Sequence, residues 1–81
     1  GGQSFRLYGE SGAFYYGTHL SAYEGTGRGV VAGEIIGYVG TTGNAAGTPP
    51  HLHFQIHPGG RGTPAINPTP AVQTACGLDL F

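Results

Sequence analysis

The sequence contains no lysine, no methionine and no tryptophan, has one cysteine, and carries few charges. Arg6, Arg28 and Arg61 stand against Glu10, Glu24, Glu34 and Asp79, for a formal net charge of −1. A nucleic-acid partner needs a basic face to neutralise phosphates, so this balance argues against one. No apolar run is long enough to span a bilayer, and no signal peptide is recognisable. Cys76 has no second cysteine to pair with, which excludes an internal disulfide and leaves the redox compartment open. No stretch carries convincing helical periodicity, and no internal repeat is present. The absent lysine also excludes a lipoyl- or biotinyl-carrier, which the Val30–Gly40 stretch otherwise suggests.

What is abundant is glycine and proline, 17 and 6 of 81 residues, as expected of one small, turn-dense β domain. Gln3–Tyr8 alternates loosely, Gly9–Gly12 signals a turn, and Ala13–Tyr16 resumes an aromatic strand, giving an antiparallel hairpin that ends near His19. Val30–Val31 reads as a short strand, Ala32–Gly33 as a tight turn, and Glu34–Val39 as a further strand. Gly40–Gly47 is a loop. Thr48-Pro49-Pro50 must then be extended, because proline fixes its own φ and restricts its predecessor.

That segment leads into the run on which the chain is centred, His51-Leu52-His53-Phe54-Gln55-Ile56-His57. Its alternation is strict. In a strand, His51, His53, Gln55 and His57 fall on one face and Leu52, Phe54 and Ile56 on the other. Imidazoles in a row suit a zinc site or an acid–base pair, although a strand with a merely His-rich outer face has the same pattern. A cupin-type metal site also places histidines two apart, but it wants a nearby carboxylate, and the next one is Asp79. Cys76 has no activating neighbour in sequence and reads as an ordinary small side chain.

Three motifs follow one another in order. They are Tyr16-x-x-His19-Leu20-Ser21, then Val31-Ala32-Gly33-Glu34-x-Ile36-Gly37-x-x-Gly40-x-Thr42-Gly43, then Gly47-Thr48-Pro49-Pro50-His51-Leu52-His53-Phe54, with Asn67-Pro68 beyond. The chain thereby resembles the lysostaphin-type (LytM-like) zinc metalloendopeptidases, which cut peptide cross-links of bacterial peptidoglycan. The resemblance implies an all-β fold, a compact antiparallel sheet of the duplicated hybrid motif type. Residues 1–70 would form the peptidase core and 71–81 a short tail. It implies Zn2+ as cofactor, with His53 as a metal ligand and His19 and His51 as catalytic groups that orient water and assist proton transfer. It implies peptidoglycan stems or cross-bridges as substrate and a secreted or cell-envelope location in a bacterium. His57 has no role in the family pattern and reads as a rim residue.

The same resemblance sets an expectation of incompleteness. The family's other two zinc ligands, in a His-x-x-x-Asp pattern, precede the first hairpin, and the sequence opens at that hairpin. The expectation is therefore an N-terminally truncated domain, missing its opening strands, that binds zinc weakly and is inactive alone. The alternative is a degenerate, non-catalytic module that binds cell wall or activates another hydrolase.

Overall fold

The alternation from Gln3 to Tyr8 and the glycine-rich turn behind it fold as a hairpin. The computed structural model, which describes residues 2–43 and 46–76, places strand β1 at Gln3–Tyr8 and strand β2 at Phe14–Tyr23. Between them Gly9 N–H donates to Ala13 O, and Gly12 takes the left-handed conformation the turn requires, φ +92°. The long strand β2 is the spine of the sheet. Strand β3, Gly37–Val39, pairs antiparallel with its Leu20–Tyr23 half. Strand β4, His53–His57, pairs antiparallel with its Phe14–Thr18 half. A short helix α1, Thr69–Ala75, follows. The architecture is an antiparallel sheet with one helical appendage, so the all-β expectation holds.

Directly opposed residues share a side of a sheet, so the register sorts the side chains into rows. On one face lie Ser4, Thr18 and His53, then Arg6, Tyr16 and Gln55, then Tyr8, Phe14 and His57. On the other lie Phe5, Gly17 and Phe54, then Leu7, Tyr15 and Ile56. This second face is the apolar one. The Phe54 ring stands 6.3 Å from that of Phe5 and is stacked 6.4 Å from that of Tyr15. Ile56 is buried beside them, a burial that contributes roughly 1.5–3 kcal/mol. Helix α1 borders the same face, where Leu52, Phe54, Pro68 and Val72 line a cleft of about 280 Å³.

Gly17 makes this packing possible. A Cβ at that position would fall 2.0 Å from the Phe5 ring, which lies directly across it. Gly17→Ala is expected to force Phe5 off its place and destabilise the domain by ~1–3 kcal/mol. Thermal denaturation of the variant checks this, and an unchanged Tm would show that Phe5 moves freely.

Four features differ from the sequence reading. Helix α1 spans only 7 residues and buries none of them, so it leaves no apolar period to read. Pro70 is tolerated in its first turn, and Asn67 Oδ1 accepts the Thr69 N–H at 3.1 Å. The strands expected at Val30–Val31 and Glu34–Ile36 are absent because Arg28 gathers this segment into a loop. Its guanidinium pairs with Glu34 and donates to Glu24 O and Ile35 O, while Glu34 accepts the Val31 N–H that a ladder would use. The Val31 N–H, and then Arg28, hold the Glu34 carboxyl below the usual carboxylate range. The hairpin also continues past His19 to Tyr23. Finally, Leu52 lies outside β4 and is 40% exposed, so it does not pack inward with Phe54 and Ile56.

Candidate active site

His19 sits where the ladder between β1 and β2 slips. Gln3 pairs with Leu20 and Ser4 with Thr18, leaving His19 as an extra residue with φ +69°. This is a β-bulge, and His19 is the only described non-glycine residue with positive φ. Strict alternation would send its side chain away from Thr18 and His53. The bulge instead brings its ring to 5.1 Å from the His51 ring and 6.3 Å from the His53 ring, centroid to centroid. A left-handed backbone costs an L-residue about 1–2 kcal/mol. Strain of this kind, held where three imidazoles meet, is what functional sites accumulate.

His51 arrives from the Thr48-Pro49-Pro50 extension and is fixed by its backbone. Its N–H donates to Gly40 O at 3.2 Å, in an isolated bridge beside β4. Gly40 lies so close to β2 that a Cβ there would stand 2.6 Å from Ser21 N. That approach seats the 40–43 loop against the site. His53 opens β4, and its side chain is exposed on the Ser4–Thr18 row. The structure thus brings together the three histidines singled out in the sequence, despite their separation along the chain.

Carbonyl oxygens only accept hydrogen bonds, and this fixes two of the tautomers. His19 Nδ1–H donates to Thr42 O at 2.7 Å, and His51 Nδ1–H donates to Pro49 O at 3.0 Å. Both neutral rings therefore keep their lone pair on Nε2, ready to accept a proton. His19 is nearly buried, at 9% exposure, whereas His51 is open to solvent.

Several residues that stand in the sequence motifs contribute in ways the motifs do not state. Thr42 is the first: its Oγ1 accepts from Gln3 N–H at 3.0 Å and donates to Leu20 O at 2.7 Å. One side chain thus ties the start of β1, the strand behind the bulge and the loop that holds His19. In the sequence Thr42 is a position of the Gly40-x-Thr42-Gly43 motif to which no contact could be assigned. Gln55 and His57 are the others. Gln55 lies 3.1 Å from His53 Nε2 and 3.0 Å from His57 Nε2, and His57 is half-buried against Phe14 rather than a free rim residue.

The donor set does not complete a metal site. Among the described residues, no group of three or more His, Cys, Asp and Glu side chains is arranged to hold a metal ion. A catalytic zinc takes three protein ligands and keeps one position open, and no carboxylate joins these imidazoles. A cavity of about 600 Å³ lies elsewhere, between the hairpin turn and residues 30–36, and no histidine lines it.

Residues 2–68 match the model of peptidase family M23. Proteins described as DD-carboxypeptidase/endopeptidase Mpg, from Neisseria meningitidis serogroup B and Neisseria gonorrhoeae, are each 38% identical over 60 residues. The alignment covers 70% of this chain and 14% of each relative, so the chain spans a small part of their length.

Proposed function

The chain belongs to peptidase family M23, and on that premise we propose that it is part of a zinc metalloendopeptidase domain that hydrolyses peptide cross-links of bacterial peptidoglycan. The observation that carries the reading is the β-bulge at His19, which turns a strained ring toward His51 and His53. A purely structural strand gains nothing from that strain.

In this reading His53 is the one zinc ligand the described residues contribute, and the remaining ligands lie outside them. Bound zinc supplies an acidified water and polarises the scissile carbonyl. This chain's own residues do the rest. His19 and His51 present Nε2 lone pairs from rings 5.1 Å apart, one nearly buried and one exposed. A nearly buried base held by Thr42 O has a fixed position, which suits it to orient a nucleophile. An exposed base on a proline-braced segment suits proton delivery to a leaving amine. The row of Arg6, Tyr16 and Gln55 beside His53, exposed at Arg6 and half-buried at the other two, offers a polar floor for an extended peptide. An envelope or secreted location follows from such a substrate.

The test is a zinc titration by calorimetry paired with a cell-wall clearing assay. The 81-residue chain alone is expected to bind zinc weakly and to clear cell walls poorly. Joining a preceding segment that carries His-x-x-x-Asp is expected to restore both together. Tight one-to-one zinc binding by the chain alone would overturn this division of ligands. Restored zinc binding without cleavage would favour a non-catalytic cell-wall binding module.

A further inference from the structure

We propose that Gln55 and His57 are positioning residues that hold the His53 ring in its Nε2–H tautomer, leaving Nδ1 as its lone-pair nitrogen. The inference extends the reading of His53 as a ligand, but it concerns hydrogen bonds of the metal-free protein.

The three side chains are successive residues on one face of β4, so Gln55 lies between the two rings. The far end of the chain is anchored. His57 Nδ1 lies 2.6 Å from Thr63 O, and that carbonyl can only accept, so His57 Nδ1 carries a proton. Thr63 is itself held by a turn: its N–H and its hydroxyl both donate to Gly60 O, and Gly60 N–H donates to His57 O. A neutral His57 therefore presents a lone pair at Nε2, and what faces it must donate. The group there is the Gln55 amide, placed with Oε1 3.0 Å from His57 Nε2 and Nε2 3.1 Å from His53 Nε2, so the proposed pairing exchanges its two ends.

The amide oxygen and nitrogen are close in size, so hydrogen-bond accounting decides between the two orientations. With the NH2 group toward His57, the amide oxygen faces His53 Nε2 and accepts its proton. Every donor then meets an acceptor and both rings are neutral. The reverse orientation requires His57 to donate from both nitrogens. That would place a cation against Phe14, whose ring already carries the Arg61 guanidinium 5.8 Å away, with no carboxylate among the described partners. The first orientation is the consistent one. It sets His53 apart from His19 and His51, which backbone carbonyls hold as Nδ1–H. Donation from the nitrogen remote from a metal is the usual way a ligand imidazole is oriented.

Long-range 1H–15N correlation of the histidine rings tests this in the metal-free protein, at a pH where the imidazoles are neutral. The expected result is the Nε2–H pattern for His53 and the Nδ1–H pattern for His19, His51 and His57. Gln55→Leu is expected to convert His53 to a mixture of tautomers. Gln55→Glu, whose oxygen still accepts, is expected to keep the Nε2–H form. In the full-length protein Gln55→Leu should also weaken zinc binding by roughly 10–100-fold. A wild-type His53 in the Nδ1–H form overturns the inference without any variant needing to fold. So does a His53 tautomer that Gln55→Leu leaves unchanged, because a merely structural glutamine would lower stability and not move this signal. The Nε2–H pattern in a full-length protein that binds no zinc would support the positioning and sink the ligand reading alone.

Discussion

His19→Asn is expected to lower kcat of the full-length peptidase by roughly 10²–10⁴-fold while leaving its melting temperature nearly unchanged. The two halves of that expectation have separate causes. Asparagine is among the few non-glycine residues that adopt positive φ readily, so the bulge at φ +69° persists. Its amide can also donate toward Thr42 O, as His19 Nδ1–H does at 2.7 Å. What it lacks is a basic nitrogen. His19→Val separates backbone from chemistry in the other direction. A β-branched residue at this φ is strained, so that variant should lose activity and also ~1–3 kcal/mol of stability. Cell-wall hydrolysis rates and thermal melts on both variants check the pair. An Asn variant within threefold of wild-type kcat would remove His19 from the chemistry and leave the bulge unexplained.

His53→Ala is expected to abolish measurable hydrolysis by the full-length protein and to weaken its zinc binding. Apparent zinc affinities of complete protein sites are on the order of 10–16 kcal/mol, so losing one ligand removes ~3–5 kcal/mol, roughly a hundred- to several-thousandfold. The fold should tolerate the change. His53 is exposed at the start of β4, and its side chain is held by Gln55, 3.1 Å away. Calorimetric zinc titration of the variant, with a melt as control, is the measurement. Unchanged affinity would mean that the metal is held without His53 and that the H-x-H element binds something else.

The histidine strand was legible because it obeys one period without interruption. From His53 to His57 every second residue faces the groove, and the structure keeps that order. The hairpin turn was legible for the same local reason. Strand β2 was not, beyond His19, because the alternation of Tyr15 and Gly17 resumes one residue out of step at Leu20, which opposes Gln3 on the apolar side and is buried. A period that changes phase cannot be followed from composition. The proximity of His19 to His51 came from the family motif and not from any spacing. Gln55 and His57 were legible as neighbours of His53 on one strand face though not as its hydrogen-bonded chain, whereas the contacts of Thr42 cross 22 to 39 positions that no pattern encodes. The helix was missed because two turns that bury nothing have no apolar stripe to display.

The bulge has a consequence for how this chain tolerates change in length. A single residue gained or lost inside a strand normally turns everything downstream inside out. Here one such step is already built in, between Thr18 and Leu20, and the sheet beyond it is laid out in the shifted frame. Deleting His19 would leave Gln3 opposite Leu20 and Ser4 opposite Thr18, so β1 and β2 would gain an unbroken ladder while every inward and outward residue from Leu20 onward kept its side. The extra residue therefore fixes where the His19 ring stands, and leaves the interior of the sheet as it would be without it. Homologous strands one residue shorter at this point should keep the same interior and lose only the side chain that the bulge presents to the site.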